Sequence, residues 1–165
     1  MTELHPHHLS IALLQPQIAP NTGNIARLCV ATGTSLHLVR PLGFVLDDKN
    51  LRRSAMDYWP RVKLTVHDDE ETFASAMRGK RLWLFTSRGE KSFWEAQFED
   101  GDCLAFGNEM RGASAAMHDL CGECSLRIPQ VSGERCLNLS TAAGIALFEA
   151  LRQITAKANF APDQP

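Results

Sequence analysis

SIALLQPQIAPNTGNIARLCVATGTSLHLV, residues 10–39, reads as strand, loop, helix, strand. Ser10–Gln15 and Ser35–Val39 are short runs, apolar almost throughout, as expected of strands covered on both faces. Between them, Asn24–Thr32 repeats its apolar residues at helical period. A helix joining two strands of one sheet makes them parallel, because the crossover returns the chain to the end where it began. The same alternation continues outward. Val62–Val66, Arg81–Thr86, Cys103–Gly107 and Ser125–Pro129 read as further strands, and Asn50–Met56, Glu70–Met77, Ala113–Leu120 and Asn138–Lys157 as helices. The pattern predicts an α/β fold with a mostly parallel sheet flanked by helices.

The chain has 165 residues, 44% hydrophobic and 22% charged, which suits one globular domain and excludes a disordered or collagen-like chain. We expect that domain over residues 10–158, with flexible ends at 1–9 and 159–165. Lys+Arg 17 against Asp+Glu 19 gives a net charge of −2, so any nucleic acid must meet a local basic patch. Arg27, Arg40, Lys49, Arg52, Arg53, Arg61 and Lys63 concentrate such charge in the first part of the chain; the plainer reading is a solvated surface. No apolar run approaches the ~20 residues of a membrane span, and MTELHPHHLS lacks a secretory pattern. Five scattered cysteines, an odd number, read as reduced thiols, and the expected location is cytoplasmic.

Three loops can carry chemistry. Pro20-Asn21-Thr22-Gly23-Asn24 opens a helix one turn before Arg27, a plausible phosphate seat, although on spacing alone an ordinary capped helix is the simpler reading. Gly107-Asn108-Glu109-Met110-Arg111-Gly112-Ala113 has the glycine spacing of a phosphate-binding loop, but Ala113 stands where the lysine must be. Its glycines still suit a ligand loop that needs close backbone approach. The third loop, Arg127–Ser140, runs through a Gly/Ser turn to the helix-capping residues Asn138 and Ser140. The helix that follows, AAGIALFEAL over residues 142–151, has one charged residue, Glu149. It is either a central core helix or one packed on its own sheet and on a second subunit, the latter favoured.

Weaker groupings are read plainly. Cys121-Gly122-Glu123-Cys124 lacks a second pair and reads as free thiols, so no metal is expected. Asp68-Asp69-Glu70-Glu71 is an acidic helix start. Phe93 and Trp94 pack on the sheet, or stack on a base where exposed.

Taken in order, PNTGNIARLC (20–29), LHLVRPLGF with DDKNLRRSAMDY (36–58), LAFGNEMRG (104–112) and IPQVSGERCLNLSTAAGIALFEALRQ (128–153) resemble the signature stretches of the SPOUT superfamily of RNA methyltransferases. Within it, the chain is most similar to the TrmL type, which methylates the ribose 2′-hydroxyl of the wobble nucleotide, cytidine or uridine 34 of tRNA. The resemblance implies a C-terminal deep trefoil knot, S-adenosylmethionine as cofactor, a homodimer built through knot helices, and the tRNA anticodon loop as partner. It places cofactor contacts on Phe85, Thr86, Gly107, Gly112, Ile128, Cys136 and Leu137. Arg27, Asn21, Glu109 and Asn138 take catalytic places, and Arg27, Arg52, Arg53, Arg111 and Ser140 meet RNA. Cys136 departs from the serine that members often carry there. The alternatives are 2′-O-methylation at another tRNA or rRNA site, and a non-catalytic knot protein that binds S-adenosylmethionine or RNA.

Overall fold

The computed structural model describes residues 4–46 and 56–160. Among them, β1 (Ser10–Leu14), β2 (Ser35–Val39), β3 (Leu64–His67), β4 (Leu82–Phe85), β5 (Lys91–Ser92), β6 (Cys103–Phe106) and β7 (Ser125–Arg127) form one sheet. Its order is β3-β2-β1-β6-β4-β7-β5, and every pairing is parallel. Four α-helices lie in the described residues: α1 (Ala19–Thr32), α2 (Glu70–Ala76), α3 (Ala115–Cys121) and α4 (Leu139–Phe160). The α/β fold with a parallel, helix-flanked sheet is therefore the one its sequence pattern predicts.

Alternation along the strands divides the core. Ile11, Leu13, Leu36, Leu38, Leu104 and Phe106 face α1 and α4, where Ile25, Cys29, Ala143, Ala146 and Leu147 cover them. Ala12, Leu14, Val39, Leu84 and Ala105 face the other way, under Phe73 of α2 and Met117 and Cys121 of α3. Each fully buried large side chain contributes about 1.5–3 kcal/mol, and both faces need cover because every central strand is apolar on both.

Several boundaries differ from the sequence reading. Helix α1 begins at Ala19 instead of Asn24, so Asn21 and Thr22 are not caps: their N–H groups donate to the Ile18 carbonyl at 3.0 and 3.3 Å. Pro20 sits in the first turn, where a missing N–H costs nothing. The third strand is Leu64–His67, two residues beyond the predicted start. The short strand β5 was not anticipated, being too brief to show a period. The helix expected at Asn50–Met56 lies outside the described residues apart from Met56, where a 3-10 helix, Met56–Arg61, begins. The acidic start at Asp69 holds: its carboxylate accepts from Thr72 N at 2.7 Å and caps α2.

Helix α4 is not covered on all sides within one chain. Ala143, Ala146, Leu147, Ala150 and Leu151 are buried, but Ile145 is 39% and Phe148 53% exposed. Phe93 packs in the core, whereas Trp94 is exposed. In the lead before β1, Leu9 is buried, His7 Nε2 lies 2.8 Å from the Thr32 carbonyl, and His8 Nδ1 lies 2.7 Å from Asp100 Oδ2. All five cysteines are free thiols, and no metal-ligand cluster occurs among the described residues. No described helix is long and apolar enough to cross a membrane.

Two polar groups anchor the sheet from inside. The buried Asp102 carboxylate accepts from Arg81 Nε at 2.9 Å, Arg81 Nη2 at 2.8 Å, Trp83 Nε1 at 2.8 Å and Glu99 N at 2.9 Å. Asp102→Ala strands three donor groups together, and we expect a loss of about 2–3 kcal/mol in urea unfolding, with the slope of the transition unchanged. On β2 and β3, His37 Nδ1 lies 3.0 Å from His67 Nε2, so one ring donates to the other as long as at least one of them is neutral. Burial, then the neighbouring His67 and Lys80, push His37 down to about 4, and burial lowers His67 as well. The unfolded chain takes up a proton near pH 6.5 that folded His37 refuses until about pH 4, so stability is full above that window and falls through it on acidification. Urea midpoints of the wild type should decline between those pH values. His37→Leu should decline less, and an equal decline in both would remove His37 as the cause.

Candidate functional site

The carboxyl ends of β1, β6, β4 and β7 are neighbours, and in an open parallel sheet ligands collect outside such ends. A cleft of about 900 Å³ opens there, within the range of cofactor sites. Its walls come from the loops that follow these strands and from the starts of α1 and α4.

The loop after β6 is built by its own polar groups. Asn108 N donates to the Gly112 carbonyl at 3.1 Å and Gly112 N to the Asn108 carbonyl at 2.8 Å. Asn108 Oδ1 accepts from Met110 N at 2.8 Å and Arg111 N at 3.1 Å, while its amide donates to the Gln15 carbonyl at 2.8 Å. Gly112 has φ +74°, and a Cβ on Gly107 would stand 2.3 Å from Ala113 N. The close approach that its glycine spacing predicts is thus made by the loop to its own closing end.

Glu109 leaves this loop to reach the start of α1. Its Oε2 accepts from Gln17 N at 2.8 Å, and its Oε1 from Ile18 N at 3.2 Å and Asn21 Nδ2 at 3.1 Å. A helix N-terminus favours an anion. The seat read from the sequence as one for phosphate is filled by this carboxylate. Asn21 in turn accepts through Oδ1 from Asn138 Nδ2 at 2.9 Å. Asn138 Oδ1 accepts from Ser140 N at 2.9 Å and Ser140 Oγ at 2.7 Å, capping α4 as its sequence position predicts. A continuous line Glu109–Asn21–Asn138–Ser140 therefore joins all three loops.

The loop after β4 is pinned to β7, with Thr86 N donating to the Leu126 carbonyl at 2.9 Å and a Cβ on Gly89 only 2.5 Å from Leu126 C. The loop after β7 is looser: residues 129–138 are exposed, Gly133 has φ +85°, and Gln130 Nε2 holds the Arg135 carbonyl at 2.9 Å.

Of the residues singled out for the cofactor, Phe85, Thr86, Gly107, Gly112, Ile128, Cys136 and Leu137 all line the cleft. Asn21, Glu109, Arg111 and Asn138 line it too. Ser140 stands behind Asn138 and is not in the wall. Arg27 does not line the cleft; its guanidinium lies 5.2 Å from the Tyr58 ring centroid. Arg52 and Arg53 lie outside the described residues. Sequence reasoning missed Arg88, Arg127 and His118, which also line the wall. Arg88 could have been found as the cation just beyond the predicted strand Arg81–Thr86, and Arg127 as the cation inside the predicted strand Ser125–Pro129. Arg88, Arg111 and Arg127 have no ion-pair partner among the described residues, so three unpaired cations line the cleft with the Glu109 and Glu134 carboxylates.

A parallel sheet with this strand order, and a cleft assembled from three loops at its carboxyl edge, define an open α/β protein with a ligand site outside its strand ends. Residues 8–148 match the model of the SpoU rRNA Methylase family, and the chain belongs to that family. It is 44% identical over 147 residues to the tRNA (cytidine(34)-2'-O)-methyltransferase of Escherichia coli strain K12, covering 88% of this chain and 94% of the relative. A solved structure concerned with "2-OH methylation of C/U34 on tRNA" is 46% identical, with TM-score 0.86 over 92% of this chain and 99% of that one. The AviRb methyltransferase of Streptomyces viridochromogenes in complex with AdoMet is 25% identical, with TM-score 0.77, over 91% of this chain and 59% of that one.

Glu109→Gln puts an amide donor against N–H groups that now meet a carboxylate oxygen. We expect a loss of about 1–3 kcal/mol in chemical denaturation and faster amide exchange at Gln17 and Ile18. Unchanged exchange there would mean that the carboxylate does not hold the start of α1.

Proposed function

We propose that this chain transfers a methyl group from S-adenosylmethionine to the ribose 2′-hydroxyl of nucleotide 34, cytidine or uridine, of a tRNA. The observation that carries this reading is the line Glu109–Asn21–Asn138, which ties three separated loops together at the rim of one cleft. The Escherichia coli relative at 44% identity supports the choice of acceptor nucleotide. The AviRb complex supports the cofactor.

The residues present fit that cofactor. Phe85, Ile128, Leu137 and Ala142 offer an apolar wall to a nucleoside, Glu109 an anion, and Arg88, Arg111 and Arg127 cations for a carboxylate. In this reading Thr86, Gly107, Gly112, Ile128, Cys136 and Leu137 hold it alongside Phe85. When bound, S-adenosylmethionine supplies a methyl group already activated on a positively charged sulfur.

The protein's own work is alignment, which can lower a barrier by several kcal/mol. Glu109 accepts from three donors, so it acts as a positioning residue that fixes the loop after β6 against α1. Asn21 and Asn138 shape the pocket between the two helix starts. Arg27 binds the ribose-phosphate and favours negative charge developing on the 2′ oxygen. Arg111 and Ser140 meet the RNA, and Arg52 and Arg53 hold the anticodon stem. A C-terminal trefoil knot belongs to the same reading. It is supported by the insertion of β6 between β1 and β4 and by the return of the chain through residues 128–138 to α4 against α1. A homodimer is supported by Ile145 and Phe148, which a second copy would cover. A tRNA substrate implies a cytoplasmic enzyme.

Methyl transfer from labelled cofactor into bulk tRNA, with the modified nucleotide mapped, tests the reading. Label at nucleotide 34 is expected; label elsewhere removes the acceptor assignment. Arg27→Ala should retain calorimetric binding of S-adenosylmethionine and lose turnover on the order of 100-fold. Near-normal turnover would remove the role of Arg27.

A further inference from the structure

Tyr58 lies half-buried in the 3-10 helix Met56–Arg61, which packs against α1. Two cations share its ring. The Arg27 guanidinium carbon is 5.2 Å from the ring centroid and that of Arg61 is 4.9 Å, both within cation–π range. They arrive by independent routes. A 3-10 helix stacks residue i+3 over residue i, which brings Arg61 onto Tyr58, whereas Arg27 comes from the facing helix. Among the residues whose side chains are described, neither guanidinium has a carboxylate within ion-pair distance. Two like charges drawn to one ring repel each other, and the ring's quadrupole offsets only part of that. The remaining positive field, presented as two planar donor forks, matches a phosphodiester, whose two free oxygens accept bidentate bonds. Arg27 lies six residues beyond Asn21 on α1, about 9 Å along the helix axis, and does not itself line the cleft. The paired site therefore stands beside the cleft, where a strand entering it would carry its backbone.

We propose that Tyr58 is a positioning residue that holds Arg27 and Arg61 as one paired cation site for a phosphodiester of the bound RNA. The proposal rests on the methyl-transfer reading above and deepens it. Tyr58→Leu removes the ring, Tyr58→Phe keeps it, and Arg61→Gln removes one fork. With unmodified tRNA as the probe, Tyr58→Leu and Arg61→Gln should each weaken binding and raise KM by about two- to thirty-fold. Affinity for S-adenosylmethionine should stay unchanged in both, and kcat should stay unchanged in Arg61→Gln, whereas Tyr58→Leu, which also releases Arg27, should lower kcat as well. Tyr58→Phe should return tRNA affinity to the wild-type value, and Arg61→Gln should lower the slope of log Kd against log salt by about one. The double variant Tyr58→Leu with Arg61→Gln should fall short of the product of the single effects, because both act on one site. Wild-type tRNA affinity in Tyr58→Leu, or equal loss in Tyr58→Phe, overturns the proposal. Should Tyr58→Leu fail to fold in a melting experiment, Arg61→Gln decides, and an unchanged affinity and salt slope overturn it. A wild type that binds tRNA without methylating it would defeat the functional reading, while the binding measurements would still judge the paired site.

Discussion

The Glu109 carboxylate at the start of α1 is the contact on which the site's construction depends. A helix leaves its first N–H groups without partners, and α1 begins without a side-chain cap of its own. Glu109, 91 residues along the chain from Ile18, supplies the acceptor. Because its oxygens are shared among Gln17, Ile18 and Asn21, the loop after β6 cannot shift without freeing the start of α1. Asn21 passes that constraint to Asn138, and hence to the start of α4. Three loops distant in sequence thus keep one relative placement, as a cleft that must align two reactants requires.

The sheet beneath makes this placement firm. β1 and β6 are fully buried neighbours, and their carboxyl ends carry Gln15–Ile18 and Gly107–Gly112 respectively. Cover on both faces leaves those ends little freedom. At the opposite edge, Asp102 joins Arg81 and Trp83, so β4 and β6 are held in register at the end away from the cleft. The loops at the carboxyl edge can therefore be irregular, with positive φ at Gln15, Gly112 and Gly133, while the strands that present them are not.

Six of the seven strands were legible because each lies in a short, largely apolar run, and burial on both faces makes such a run a strong signal; Lys91–Ser92 has no such run. Helix α2 was legible from its acidic start, which Asp69 caps; α3 was predicted from Ala113, whereas Ser114 caps it and the helix begins at Ala115. The start of α1 was not, because its stabilising partner is remote. Asn21 and Thr22 have the propensity of caps, and nothing near them announces that Glu109 does that task. The cleft-lining residues were found through family resemblance; strand periodicity alone would have yielded Arg88 only as a cation beyond a strand end and Arg127 only as a cation within one. The exposure of Ile145 and Phe148 on α4 has the same cause, since a pattern apolar on all sides specifies that cover exists but not which chain provides it.

The acidic net charge and a nucleic-acid substrate fit together once the carboxylates are located. Asp102 is buried on Arg81 and Trp83, Glu109 closes α1, Asp69 caps α2, Asp100 meets His8, and Glu149 accepts from Arg152 and Gln153. Each is committed to an internal partner, and for Asp102 and Glu149 that partner includes an arginine that offsets the charge where it stands. Arg27, Arg61, Arg88, Arg111 and Arg127 have no such partner among the described residues. The total of −2 counts every charge alike, whereas a polyanion meets the local field, and Arg88, Arg111 and Arg127 concentrate cations along one cleft. For this molecule the pairing of each charge, more than the sum, decides what it can bind.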